Sequence, residues 1–330
     1  MYAITIDTGT TNTRVSVWKD NDIIAQSFQA VGVRDTAISG SKDTLIKGVK
    51  TAVDDAMKQA GITYSDPLIL LSSGMITSNV GLYELAHQIA PAGIAELAQG
   101  MVKVDMPEVA DQPIWFVPGV RNNADAVSAE NVEAMDIMRG EETETIGVIQ
   151  SMGLQGPALI ILPGSHSKFI RIDEQNRITG CVTTIGGELL DVITQNTILA
   201  SSLEHGFADE IDSASLLQGS RTCQQVGLSR SCFSVRILDM FAKQSKNQKA
   251  NFLLGAVLSS DITAIKNSDA LKVTPDVTIV VGGKKILKEA FAALIKDDAF
   301  FTGKIHVIDD NPQPLSGIGI MELARYKKLL

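Results

Sequence analysis

Between two strand-like runs the chain reads Asp7-Thr8-Gly9-Thr10-Thr11-Asn12-Thr13-Arg14. A tight turn rich in Gly and Thr aims backbone N–H groups and hydroxyls in one direction, which makes an anion nest. Gly9 lets the backbone approach a ligand closely, and Thr10 and Thr11 add hydroxyl donors. An acid such as Asp7, at a strand end, can hold a magnesium ion through water without touching the phosphate it would repel. A second polar turn, Pro163-Gly164-Ser165-His166-Ser167-Lys168, adds a lysine charge and an imidazole to the same chemistry. A third segment, Val280-Val281-Gly282-Gly283, ends an apolar run in two glycines whose bare backbone could lie flat against an adenine or a ribose. Each segment alone is equally an ordinary connection; the case rests on their arrangement.

Other cradles are absent. There is no G-x-x-x-x-G-K-[ST] loop, no G-x-G-x-x-G after a strand, and no protein-kinase signature. Ser165 lacks a G-x-S-x-G elbow, which argues against a serine hydrolase. His87, His205 and His306 share no metal-ligand spacing and read as structural, and Arg14 reads as a partner within the strand layer.

The elements that carry these turns recur. Tyr2–Ile6, Arg14–Trp18 and Ile23–Val31 read as three strands, followed by a helix on which Leu45, Ile46, Val49, Val53 and Met57 share a face. Ser41 or Asp43 would cap that helix and Gly61 end it. A buried strand, Leu68–Leu71, ends at Ser72-Ser73-Gly74. About 155 residues later the order returns: Ala158–Leu162, Lys168–Ile172 and Ile178–Thr184 as strands, then a helix opened by Gly186-Gly187. Residues 205–270 read as mostly helical, Val277–Val281 and Lys304–Ile308 as strands, and Lys284–Ile295 and Ile318–Tyr326 as helices. A hinge falls near Gln150–Gly156. The expectation is an α/β chain of two duplicated domains, 1–150 and 151–330, with the last helix packing back on the first. Their equivalent turns would then face each other across a cleft.

Composition fits this frame. With 29 basic and 38 acidic residues among 330, the net charge of −9 argues against a binder that neutralises nucleic-acid phosphates. A hydrophobic fraction of 45 % and a charged fraction of 20 % are those of a globular chain. At roughly 150 residues per domain, two domains each have a core of their own. Aromatics are only 5 %, so the cores rest on aliphatic residues. Three cysteines without a C-x-x-C pair fit a reducing compartment. No signal peptide precedes the first strand and no apolar run spans a membrane, so a soluble cytoplasmic protein is expected. Self-association into a homo-oligomer is compatible with all of this.

The repeated strand-strand-strand-helix order, with a D-x-G-T-T turn first, resembles the superfamily of actin, heat-shock chaperone ATPases and sugar kinases. Within it, three stretches resemble the 2-keto-3-deoxygalactonate kinase (2-dehydro-3-deoxygalactonokinase) family. They are Met138-Arg139-Gly140-Glu141-Glu142-Thr143, the Pro163–Lys168 turn followed by Gly187-Glu188-Leu189, and Ser73-Gly74-Met75-Ile76-Thr77-Ser78-Asn79-Val80-Gly81. Ser165 stands where family turns often carry Thr, which keeps the hydroxyl. The stretch Asp309–Leu315 matches nothing diagnostic.

The resemblance implies a two-domain actin-like (ribonuclease H-like) fold with a nucleotide cleft, and transfer of the ATP γ-phosphate, with Mg²⁺, to the C6 hydroxyl of 2-keto-3-deoxygalactonate. It also suggests roles. Asp136, expected at the start of a helix linking the domains, is the first candidate base, with Glu141 and Glu142 as competitors. Arg139 suits the substrate carboxylate, and Ser73, Gly74, Asn79, Gly187 and Glu188 the rest of the sugar acid. Asp7, Gly9, Thr10, Thr11, Gly164, Ser165, His166 and Lys168 would hold phosphates and metal, and Gly282 and Gly283 the nucleoside. The first domain thus forms the sugar-acid side and the second the nucleotide side. The rival readings are a kinase for another sugar acid, such as 2-keto-3-deoxygluconate, and a non-catalytic ATP-binding regulatory module.

Overall fold

A computed structural model describes residues 1–124, 126–309 and 313–330. Asp125 lies outside the described residues, as do Asp310, Asn311 and Pro312 of the Asp309–Leu315 stretch.

The first half begins with β1 (Tyr2–Thr8), β2 (Thr13–Lys19) and β3 (Asp22–Gln29), then α1 (Val33–Ser39), α2 (Asp43–Ala60) and β4 (Leu68–Gly74). Shorter elements follow: β5 (Gln88–Ile89), α3 (Ile94–Gly100), β6 (Val102–Val104), β7 (Ile114–Phe116), β8 (Val120–Arg121) and β9 (Ile137–Met138). Next comes α4 (Glu141–Met152). The second half is β10 (Ala158–Leu162), β11 (Ser167–Ile172), β12 (Ile178–Thr184), α5 (Gly186–Asn196), α6 (Ser213–Val226), α7 (Leu228–Phe241) and α8 (Lys246–Asn267). It closes with β13 (Thr278–Val281), α9 (Lys285–Asp297), β14 (Ile305–Val307) and α10 (Leu315–Tyr326).

The repeat expected from sequence is a repeat of sheet topology. One sheet has the order β3-β2-β1-β4-β7-β6 and the other β12-β11-β10-β13-β14. In each, three antiparallel strands are followed by a helical crossover to a parallel strand beside the first. A small third sheet, β5-β8-β9, is interleaved in sequence with the last strands of the first. Because parallel neighbours need crossovers, both sheets bury their strands under helices, and Ala158–Leu162 is apolar throughout for that reason.

Local chemistry sets the helix bounds. The α2 face of Leu45, Val49, Ala52, Val53, Ala56 and Met57 is buried, and Gly61 ends the helix at φ +67°. Neither expected residue is its N-cap; Lys42 holds that position, and the Ser41 hydroxyl accepts from Asp43 N–H at 3.2 Å instead. α10 packs on α3, α4, β1 and β4. Its approach to α4 is close enough that a methyl group on Gly319 would lie 1.8 Å from the Thr143 carbonyl oxygen.

Two cores were expected and three clusters form. One lies under β1–β4 and α2, and one among α5–α9. The third joins Ala3, Trp18 and Leu71 to Ile160, Ile170 and Val280 with Ile320 and Leu323 of α10. The two sheets are therefore knitted through α4 and α10. The three cysteines are buried and unpaired by disulfides. Among the described residues no helix is long and apolar enough to cross a membrane.

Candidate active site

The β1–β2 register brings Asp7 opposite Arg14, and the parallel β1–β4 register sets Asp7 beside Ser73 and Thr8 beside Gly74. The strand ends and their loops thus open on one side of the sheet, where ligands bind in α/β folds. There a cavity of about 840 Å³ is lined by Asp7, Gly9, Thr10, Asn12 and Arg14, and by Gly74, Ser78 and Asn79. Across from them stand Asp136, Arg139, Glu141, Glu144, His166, Lys168 and Thr183, with Glu84 and His87 also on its wall.

The β1–β2 turn is braced from behind. Gly9 N–H donates to Asn12 O at 2.8 Å, while Val33 and Arg34 at the start of α1 donate to Gly9 O and Thr10 O. Their carbonyls are thereby occupied. Thr11 is exposed and stands outside the cavity lining, so only part of the expected Thr pair faces a ligand.

Asp7 accepts a hydrogen bond from Ser316 Oγ of α10 at 3.0 Å. Burial raises its carboxyl above the usual range, against the lowering effects of Ser316 and Arg14. Glu144 is pushed up to about 8 by burial and then by the charges of Asp7 and Glu141. Asp7 and Glu144 both stand half-buried on the cavity wall, and the charge of Asp7 adds to the rise at Glu144. Oxygen donors suit Mg²⁺, which keeps most of its waters and takes one or two carboxylates. Among the described residues no cluster of three or more His, Cys, Asp or Glu has metal-binding geometry, so an all-protein cage is absent. Sequence reasoning missed Glu144, although it lies three residues after Glu141, on the same helix face. It also set Arg14 aside, yet Arg14 lines the cavity and counters the charges of Asp7 and Glu144.

Asp136 does not begin a helix. It precedes β9, and α4 starts only at Glu141, because Gly140 turns the chain at φ +116°. The Asp136 carboxylate reaches across to the second sheet. Oδ1 accepts from Ile137 N–H at 2.6 Å and Thr183 Oγ1 at 3.0 Å, and Oδ2 from Thr183 N–H at 2.5 Å. Lys168 is buried beside it and donates to Ile137 O at 2.8 Å and Thr183 Oγ1 at 2.5 Å. Thr183, opposite Lys168 in the β11–β12 register, is thus shared by both and was missed from sequence.

The remaining acids separate. Glu141 lines the cavity and accepts from Arg139 N–H at 3.1 Å. Glu142, expected beside it as a possible base, is fully buried and turned away, with both carboxylate oxygens on Gly140 N–H at 3.0 and 2.8 Å. Burial and Glu141 push its carboxyl up to about 8. Ser73 is likewise buried behind the wall, where its Oγ meets Thr143 Oγ1 at 3.4 Å.

Arg139 pairs with neither helix acid by side chain. Its guanidinium donates to Thr77 Oγ1 at 2.9 Å and Leu85 O at 2.6 Å, fastening the loop after β4, and approaches His87 Nδ1 at 3.4 Å. Gly74 needs to be glycine: φ is +94°, and a methyl group there would lie 2.6 Å from Thr8 O.

A second group assembles at the N-terminus of α5. A methyl group on Gly187 would lie 2.0 Å from Gly164 O, and one on Gly283 2.9 Å from Pro163 Cδ. Glu188 N–H donates to Ser165 O at 2.9 Å, and Glu188 Oε2 meets His166 Nε2 at 2.8 Å. The structure therefore places Gly187 and Glu188 with Gly164, Ser165 and Gly283, not with Ser73 and Gly74 as expected. Gly282 sits deeper, against Ile308 and Leu162. Bare backbone at a helix N-terminus is a ready anion site, and His166 joins it to the cavity.

A duplicated α/β unit, with Gly-rich turns opening on a polar cleft, is the architecture of actin-like kinases. The family model for 2-keto-3-deoxy-galactonokinase matches residues 7–303, and the chain belongs to that family, which makes it a kinase. It is 26 % identical over 277 residues to a Rhizobium meliloti protein described as a probable 2-dehydro-3-deoxygalactonokinase, DgoK1, covering 82 % of this chain and 83 % of that one. It is 24 % identical over 266 residues to the 2-dehydro-3-deoxygalactonokinase of Escherichia coli, covering 80 % of each. A solved structure from Sinorhizobium meliloti, described as a putative 2-dehydro-3-deoxygalactonokinase protein, superposes with a TM-score of 0.75 at 22 % identity, over 98 % of this chain and 96 % of that one.

Proposed function

We propose that the cleft transfers the γ-phosphate of ATP to the C6 hydroxyl of 2-keto-3-deoxygalactonate, giving the 6-phosphate and ADP. The observation that carries this reading is the meeting, in one cavity, of an anion-binding turn, a carboxylate pair and an arginine, in a chain of this kinase family. Residues 1–150 supply the sugar-acid side and 151–330 the nucleotide side. Gly164, Ser165, Gly187 and Gly283 cradle phosphates on bare backbone, Gly9 and Thr10 close on them from the first sheet, and Gly282 backs the nucleoside. Arg139 faces the substrate carboxylate, and Gly74 and Asn79 the sugar chain.

Phosphoryl transfer needs positioning and charge neutralisation more than covalent chemistry. Asp7 and Glu144 would hold Mg²⁺ through its waters, and the ion would neutralise charge on the transferring phosphoryl group. Lys168 and Thr183 fix the Asp136 carboxylate. Asp136 accepts the C6 hydroxyl proton as the bond to phosphorus forms. Closure of the halves over both ligands would exclude water and limit idle ATP hydrolysis.

The test is ADP release, coupled to NADH oxidation, across a panel of 2-keto-3-deoxy sugar acids. Stimulation by 2-keto-3-deoxygalactonate well above the acceptor-free rate supports the reading. A rate independent of every acceptor refutes it and favours an ATP-binding module, and preference for the gluconate epimer reassigns the substrate.

A further inference from the structure

We propose that His87 is a specificity-determining residue: its Nε2–H, held on the cavity wall beside Arg139, donates a hydrogen bond to the carboxylate of the acceptor. This rests on the sugar-acid kinase reading and adds to it a residue that reads the acid end.

The argument starts from donors and acceptors. A guanidinium only donates, so the Arg139 Nη2 contact to His87 Nδ1 at 3.4 Å makes Nδ1 an acceptor. The ring proton then sits on Nε2. Burial, with the guanidiniums of Arg139 and Arg121, pushes the imidazole down to about 4, so it is neutral at pH 7 and keeps that single tautomer. Yet Nε2 is buried, and none of the described residues accepts from it. A buried donor left unmade is costly, and such groups persist where a ligand satisfies them. His87 is a residue of the cavity wall while Nε2 itself is enclosed, so the ring must turn Nε2 toward an acceptor atom that enters there.

Its surroundings specify an anion. Arg139 spends three of its donor contacts on Thr77, Leu85 and His87, and no described residue takes its other N–H groups. Arg121 adds positive charge near the ring. Glu84, also on the wall, supplies an acceptor for a sugar hydroxyl at the edge of this pole. A carboxylate between Arg139 and His87 receives charge-assisted bonds from both. The neutral imidazole adds directionality without a second fixed charge, so it separates an acid from an uncharged analogue of the same shape.

The experiment compares wild type, H87F and H87Q, with 2-keto-3-deoxygalactonate and its methyl ester as acceptors. In H87F the KM for the acid rises about 10- to 100-fold, while kcat, the KM for ATP and the KM for the ester stay within about twofold. H87Q retains an N–H donor and recovers most of the acid's affinity. In ¹⁵N-histidine NMR of wild type, His87 shows the Nε2–H tautomer, and its Hε2 resonance moves downfield when the acid is added. Equal changes for acid and ester, no change for either, or an Nδ1–H tautomer would overturn the proposal. If H87F fails to fold, judged by its melting curve, the NMR titration and the H87Q acid-to-ester ratio decide. A wild type that phosphorylates no sugar acid refutes the kinase reading instead, whereas an active wild type with an unaltered H87F refutes His87 alone.

Discussion

Glu142→Gln is expected to stabilise the protein, and increasingly so as pH rises. In the folded chain the Glu142 carboxyl is pushed up to about 8 from 4.5, by burial and by the charge of Glu141. Below pH 4.5 folded and unfolded states both hold the proton and no penalty exists. Between 4.5 and 8 the unfolded chain releases the proton while the folded one keeps it, so stability falls as pH rises. Above 8 both states are ionised and the loss is complete. The slope is about 1.4 kcal/mol per pH unit, and the shift of about 3.5 units caps the penalty at about 5 kcal/mol. Gln has nearly the same shape, and its carbonyl can still accept from Gly140 N–H, so the variant removes the charge and little else. Urea unfolding followed by Trp fluorescence at pH 5, 6, 7 and 8 measures the gap between variant and wild type. Asp7 and Glu144 bend the wild-type curve the same way, so the difference between the two proteins is the informative quantity. The gap should be small at pH 5 and widen to several kcal/mol at pH 8. A gap that does not change with pH, or an E142Q protein less stable at pH 8, would refute the reasoning.

Three further outcomes follow from the site. Asp136→Asn should keep ATP affinity within a few-fold, yet lower kcat by about 10²- to 10⁴-fold; near-normal steady-state kcat would move the base to Glu141. Glu144→Gln should raise the Mg²⁺ concentration needed for half-maximal rate about tenfold, the scale expected for losing a metal-positioning partner. Because Glu144 ionises near 8, Mg²⁺ affinity in wild type should increase from pH 6 to 9, and calorimetry should show that dependence weakened in the variant. Gly187→Ala would place a methyl group 2.0 Å from the Gly164 carbonyl, so the phosphate turn must shift. Calorimetric ATP affinity should drop at least about tenfold with the fold intact, and unchanged affinity would remove α5 from the nucleotide site.

What the residues disclosed before folding, and what they hid, has physical causes. Long apolar-periodic segments announced themselves: α2, with its glycine stop, and β10, buried on both faces, fall where periodicity put them. The repeat was legible because two sheets of the same topology need the same order of strands and turns. The two-residue strands β5, β8 and β9 carry no period at all, and they are held by tertiary pairing. That is why Asp136 is expected on a helix: it lies five residues before α4 begins at Glu141, beyond the break at Gly140. The Gly- and Thr-rich β1–β2 turn disclosed one wall of the cavity. Glu142 misled because sequence cannot say which of two adjacent acids faces inward. Thr183 and His87 stayed hidden because their partners lie far away in sequence, Asp136 for the one and Arg139 for the other. Arg14, though only seven residues from Asp7, stayed hidden because sequence does not show that its side chain opens on the cavity.

In the proposed reaction, phosphate passes to a primary hydroxyl of a 2-keto-3-deoxy sugar acid in the cleft between the duplicated halves. ³¹P NMR of the protein incubated with ATP, Mg²⁺ and 2-keto-3-deoxygalactonate tests it directly. The expected result is loss of the ATP γ-resonance in step with a new monoester signal, split into a triplet by the two C6 protons. Inorganic phosphate as the product, or an ATP spectrum that does not change, would contradict it.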